Sequence, residues 1–203
     1  MTDVTPPTEA GNAGPLSLEQ WRLLDWRFLL PVVQPRNLGY GGAVDRESLA
    51  ALRLLDPGAG RIDSDGGPPG PTFDVVLLSS PDLQLLEAAA QRMQPGGWMC
   101  AEFRRSLSGS TRPRTLYGWR RAFVRNGFRD VSVQWHAPGL RHPSRMVPLA
   151  SGSAVRDTLA RHQAIPFGAV KELIGRLALA LRVFELVIPE GTVTGRRPGS
   201  RLP

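Results

Sequence analysis

The sequence predicts an α/β protein: a three-layer sandwich built on a mostly parallel sheet. Three observations carry that expectation. The stretch Phe73–Phe103 reads as strand, helix, tight turn and strand, and two strands joined by a crossover helix pair in parallel. Strand-like and helix-like segments alternate along much of the remaining chain. The chain has 203 residues, 41% of them hydrophobic and 21% charged, which suits one domain with a sizeable core and argues against wholesale disorder.

Taken in order, residues 1–15 are rich in Pro, Thr and Gly without an apolar pattern, and read as a tail. A single domain is expected over 16–195. Ser17 is placed to cap a helix from Leu18, with Gln20 at the capping-box position and Trp21, Leu24 and Phe28 on its apolar face, until Pro31 ends it. Val32–Gly42 should hold a first strand followed by a glycine loop at Leu38–Gly42, although Pro35 shortens or bends the strand. Asp45 is a good N-cap for a helix running to Leu55. Asp56–Thr72 is a Gly/Pro/Asp loop with room for only a strand stub at Arg61-Ile62-Asp63. Phe73–Leu78 is a nearly unbroken apolar run, as in a strand buried on both faces. Ser79-Ser80-Pro81-Asp82 supplies capping oxygens, Leu83, Leu86, Ala90 and Met93 recur at helical spacing, and Pro95-Gly96-Gly97 turns the chain into the strand Trp98–Phe103.

A basic loop follows, with Arg104, Arg105, Arg112 and Arg114 either contacting an anion or simply solvated. Leu116–Asn126 reads as a helix closed by Gly127, and Val131–Trp135 as an alternating strand. Ala154–His162 and Ala169–Val187 read as helices. The second carries an apolar stripe of Val170, Leu173, Ile174, Leu177, Leu181 and Phe184, which suits core packing, a dimer or partner-protein face, or a membrane surface. Gly191–Gly195 reads as a last strand and 196–203 as a basic tail.

The stretch Phe73–Phe103, with its Phe-Asp-Val-Val strand and Met93-Gln94-Pro95-Gly96-Gly97 turn, resembles the fourth strand, helix and fifth strand of class I S-adenosylmethionine-dependent methyltransferases. The later helix, Asn126-Gly127-Phe128 and strand resemble that family's approach to its sixth strand. The segment from Trp135 to Ser151 resembles a loop in methyltransferase-like proteins of bacterial polysaccharide and secondary-metabolite gene clusters. The resemblance implies a Rossmann-like sheet with a C-terminal antiparallel hairpin. It also implies S-adenosylmethionine as cofactor and a small-molecule or glycan acceptor in a biosynthetic setting. The chain departs from the pattern in two places: Asn37-Leu38 stands where the family carries an acid before its glycine loop, and the region between the second and third strands is shortened. A methyltransferase-like domain that has lost catalysis and serves as a binding or assembly partner is therefore the alternative.

Under that resemblance Gly39 and Gly41 form the cofactor loop, or else a plain turn. Asp63 (or Asp65) holds the ribose hydroxyls, or else is a loop carboxylate. Ser79 and Ser80 contact cofactor or acceptor. Removing a proton from an OH or NH acceptor needs a base near the carboxyl ends of the later strands, where ligands of open α/β sheets gather. Glu102 and His136 both stand there. Their structural alternatives are an ion pair with Arg104 or Arg105, and a half-exposed loop histidine.

Composition excludes several classes. His136, His142 and His162 have no Cys or acidic partner at metal-ligand spacing, and no nucleophile elbow or phosphate-binding loop occurs. The lone Cys100 cannot form an internal disulfide, and the chain start lacks a signal-peptide pattern, so a cytoplasmic location is expected. Net charge is +7, split between −6 for residues 1–90 and +13 for 91–203. Only Lys171 among the 25 basic residues is lysine, a bias that fits a GC-rich genome. The basic half attracts anions, but no aromatic-plus-basic nucleic-acid motif accompanies it.

Overall fold

The computed structural model describes residues 23–32, 34–65, 70–104, 113–137, 145–161, 168–181 and 183–199, the side chains of 137 and 168–171 excepted. The expectations for the 1–15 tail, Ser17, Trp21, Arg105, Arg112, His142, His162, the Val170 side chain and residues 200–203 lie outside them. A 3-10 helix at Asp25–Leu29 precedes β1 (Leu38–Gly42), α1 (Arg46–Leu55), β2 (Gly60–Ile62), β3 (Phe73–Ser79), α2 (Leu83–Gln91) and β4 (Met93–Arg104). Then follow α3 (Leu116–Arg125), β5 (Arg129–Ala137), β6 (Arg145–Pro148), α4 (Gly152–Arg161), α5 (Gly168–Ala180), α6 (Phe184–Val187) and β7 (Glu190–Arg196). The strands form one seven-stranded sheet in the order β2-β1-β3-β4-β7-β5-β6. β2, β1, β3 and β4 are parallel, while β7 runs antiparallel between β4 and β5, and β6 antiparallel on β5. The mostly parallel sheet with an antiparallel C-terminal strand is as expected. So is the shortened second-to-third-strand region: among the described residues no strand flanks β2 on its outer side.

Period-2 alternation divides the sheet between two cores. Ile62, Phe73, Val76, Leu78, Met99, Ala101, Phe103 and Val193 face α2 and α3, where Leu86, Trp119 and Phe123 are fully buried. Leu38, Tyr40, Val75, Leu77 and Cys100 face the 3-10 helix and α1, against Leu24, Trp26, Leu30 and Leu52. Side-chain caps start the helices where the sequence placed them: Asp45 accepts from Ser48 N and Asp82 from Leu85 N, and Thr115 caps α3 in the same way through Gly118 N.

Several expectations need correction. Near the N-terminus the described turn is 3-10, and Trp26 lies inward while Phe28 is 81% exposed. The glycine run is strand β1 rather than a loop. The α2 face that packs is Leu85, Leu86 and Ala89, and Leu83 points outward. Pro95-Gly96-Gly97 lies within β4, where register moves from Phe73↔Met93 to Val75↔Trp98 and Gly96 takes φ +83. Part of the segment after Trp135 is the edge strand β6. The long C-terminal helix is two helices, and the α5 stripe points outward, with Leu173 68%, Leu177 58% and Leu181 63% exposed while Glu172 and Ala178 are buried. The basic tail does not begin at Arg196, which ends β7. Arg197 then donates to the carbonyl oxygens of Ala90, in the last turn of α2, and Met93, at the start of β4.

Candidate active site

A pocket of about 260 Å³ opens at the carboxyl ends of β1, β3 and β4. The turn after β1 supplies Ala43, Val44 and Asp45, and α1 supplies Ser48 and Leu52. Leu77, Ser79 and Ser80 come from β3 and its exit, and Glu102 and Arg104 from β4. His136 and Met146 close one side, and Leu23 and Trp26 cover it.

The turn after β1 is tight. Gly42 has φ +83, and a Cβ there would fall well inside contact with the Ser79 carbonyl oxygen. Ala43 N donates to that same oxygen at 2.9 Å, which fixes the exits of β1 and β3 side by side. Ser80 sits at φ +48 and donates its N–H to the Glu102 carbonyl at 3.0 Å, tying the exit of β3 to β4. A left-handed non-glycine residue at a pocket wall is local strain held by its neighbours.

Glu102 and His136 lie on the same face of the sheet, separated by β7. The register pairs Glu102 with Thr192, and the Thr192 hydroxyl shares a 2.7 Å hydrogen bond with His136 Nε2. Burial, then the Asp45 charge, raises the Glu102 carboxyl from 4.5 to about 7, with Arg104 opposing. Burial lowers His136 from 6.5 to about 4, with Glu190 opposing, so the ring is neutral at pH 7. Arg104 pairs with Glu190 at 3.1 Å and not with Glu102, while the alternative partner Arg105 lies outside the described residues. His136 is a buried strand residue, not a half-exposed loop residue. Two buried polar atoms of the lining residues have no hydrogen-bond partner: His136 Nδ1 and Trp26 Nε1. Cys100, one strand repeat below Glu102, is a buried thiol raised by burial and by Glu102, which suits an inert core residue.

The structure thus brings Glu102, His136, Ser79 and Ser80 together, and leaves three sequence candidates apart. Gly39 and Gly41 are not in the lining. Their missing side chains let Phe73, Ile62, Leu78 and Leu85 close on β1 from the opposite face. Asp63 follows β2 but is exposed and bonded to Arg61 at 2.8 Å. Asp45, Ser48, Trp26 and Thr192 escaped the sequence reading. Asp45 carried a usable signal, since a carboxylate in a strand-to-helix turn stands where α/β ligands gather. Among the described residues no cluster of metal-ligating side chains exists, and no helix is long and apolar enough to cross a membrane.

No protein-family model and no curated protein matches the chain. Among solved structures it is similar to a S-adenosylmethionine-dependent methyltransferase of Thermotoga maritima, named a "possible histamine N-methyltransferase". The TM-score is 0.50 at 11% identity, covering 88% of this chain and 89% of that one. A S-adenosylmethionine-dependent methyltransferase of Archaeoglobus fulgidus matches with TM-score 0.49 at 14% identity, over 88% of this chain and 94% of that one. The fold is that of class I methyltransferases.

Proposed function

We propose that the protein is a S-adenosylmethionine-dependent methyltransferase acting on a small molecule, with a glycan as the other acceptor class. The observation that carries this reading is the pocket itself. It stands at the carboxyl ends of β1, β3 and β4 of a methyltransferase fold, and two buried polar atoms of its lining lack partners. Such atoms cost roughly 1–3 kcal/mol each unless a ligand or water meets them. The lining fits the amino-acid end of the cofactor: the Ala43–Val44 backbone, Asp45, Ser48, Ser79 and Ser80 supply polar groups around the Gly42 turn. When bound, the cofactor supplies a methyl group on a positively charged sulfur.

The chain's own residues then have two tasks. Glu102, its carboxyl raised by burial to about 7, accepts in its ionised form the proton of an OH or NH acceptor. His136 is held by Thr192 through Nε2, which leaves Nδ1 to orient the acceptor. The outward apolar stripe of α5 is the candidate contact for a second copy or a partner protein. A second reading, the non-catalytic binding domain, is favoured by Asp63, which stands outside the pocket on Arg61. Calorimetric titration with S-adenosylmethionine and S-adenosylhomocysteine separates the two. Saturable binding of both supports the enzyme, and no heat at millimolar ligand refutes it.

A further inference from the structure

We infer that the protein pairs with a second copy of itself, α5 packing antiparallel on α5 about a two-fold axis through Leu177. This commits the α5 surface to one occupant and gives the contact a register. It does not depend on the enzyme reading: a chain that binds no cofactor would leave it standing.

α5 is buried along the side where small residues let α4 approach. Gly175 has no Cβ, so Leu159 closes on it, and Glu172 and Ala178 are buried. From Glu172 to Leu181 the exposed residues are Leu173, Ile174, Arg176, Leu177, Ala180 and Leu181. All but Arg176 are apolar, and the four large ones are 68%, 55%, 58% and 63% exposed. Arg176 pairs with Glu172 of its own helix. At about 100 Å² for each large side chain, with Ala180 added, the stripe offers roughly 450 Å² per copy. Two copies bury about 900 Å², and the Arg176 stem and the helix flanks bring this to the ~1,000 Å² that a specific interface needs. A patch of this size on one chain is commonly a contact surface.

Leu173, Leu177 and Leu181 form one i, i+4 row, the ridge by which helices most often interlock. The row is symmetric about Leu177. A two-fold axis through that residue sets each Leu173 against the Leu181 of the other copy, so one patch serves both chains. Charge points the same way. The chain carries +7, so two copies repel over most of their surface. Along this row the one described guanidinium is already paired, and the copies approach without that cost. An acidic protein would be drawn to the basic residues elsewhere. The chain holds little to cover the row itself. Residues 105–112, 138–144 and 200–203 have one large apolar residue each, Leu107, Leu140 and Leu202, and residues 162–167 have α4 and α5 to join. Residues 1–22 enter the described chain at Leu23 and Leu24, in the core on the opposite face of the sheet from Ala178.

The test is sedimentation velocity of the full chain from about 1 to 200 µM. The average mass should rise from one chain towards two, with half-conversion at roughly 10–100 µM for so small an interface. At about 1 µM the chain is then a monomer, and Leu177 bears little on its stability. L177R places two guanidinium groups on the axis and should weaken association at least about tenfold. The register is read by charge. L173E/L181K, with opposite charges across the axis, should associate at least about tenfold better than L173K/L181K. A cysteine on a two-fold axis meets its own copy, so L177C should cross-link under mild oxidation. V124C, exposed on α3, should not, and the native Cys100 is buried. A parent chain that stays monomeric at every concentration overturns the inference, and flotation of that monomer with phosphatidylcholine vesicles would assign the stripe to a lipid surface. A dimer indifferent to L177R, equal association of the two charge variants, or equal cross-linking of the two cysteine variants would overturn it as well.

Discussion

Glu102 and His136 should make opposite contributions to the pH dependence of stability, and removing either should expose the other. The carboxyl of Glu102 is raised from 4.5 to about 7. Between those values the unfolded chain has released the proton and the folded chain still holds it, so stability falls as pH rises. The full swing is about 3 kcal/mol at 1.36 kcal/mol per pH unit. His136 is lowered from 6.5 to about 4. Between those values the unfolded ring is protonated and the folded ring is not, so stability is complete above 6.5 and is lost as pH falls. That swing is again about 3 kcal/mol. From pH 5 to 6.5 the two slopes nearly cancel, each amounting to about 2 kcal/mol over the window.

The assay is urea unfolding of the parent protein, E102Q and H136Q at intervals from pH 5 to 8. Relative to the parent, E102Q should gain about 2 kcal/mol as pH rises from 5 to 6.5, because only the histidine dependence remains. H136Q should lose about the same across that window. Taking differences from the parent removes every other titrating group whose environment the substitution leaves alone. Parallel curves for the parent and E102Q would refute the buried, Asp45-opposed state of Glu102, and with it the site's electrostatics.

Four further substitutions test the scaffold. Gly42→Ala adds a Cβ against the Ser79 carbonyl at φ +83 and should cost more than about 2 kcal/mol, read as a lower urea midpoint at unchanged slope. Arg197→Ala removes the donor to Ala90 O at the end of α2 and to Met93 O at the start of β4 and should cost about 2 kcal/mol, which in a domain of this size lowers the melting temperature by about 4–8 °C. Leu177→Gln on the outward stripe of α5 should change stability by less than about 0.5 kcal/mol, whereas Ala178→Gln, one residue on and buried, should cost several times more by the same measurement.

What was legible in the sequence was whatever one segment decides by itself. The continuous apolar run at Phe73–Leu78, the cap at Asp82, the strand at Val131–Trp135 and the shortened Asp56–Thr72 stretch all read correctly, because burial on two faces and side-chain capping are local signals. Direction was not legible. The α5 periodicity marks an apolar face but cannot say where it points. Gly175 has no Cβ, so Leu159 of α4 can close upon it, and the small Ala178 lies buried nearby. Close approach through small residues therefore prevailed, and the large leucines turned outward. Gly39 and Gly41 misled for a related reason. A glycine needed for a loop and one needed for close packing look the same in sequence, and here Phe73 and Leu85 occupy the space that side chains would fill.

The site itself is a product of topology. Glu102 and His136 could be named separately, each at or near the end of a strand, but nothing in their separation along the chain places them together. Their adjacency depends on β7, last in sequence, which inserts between β4 and β5. Alternation along β4 puts Glu102 and Cys100 on one face, and the β4–β7 register sets Thr192 beside Glu102. Thr192, fully buried, then holds His136 from the next strand. A one-residue slip of β7 would turn Thr192 to the opposite core and release the imidazole. The residue that joins the two candidates is thus one with no catalytic signature of its own. Its role becomes visible only when the strand order is known.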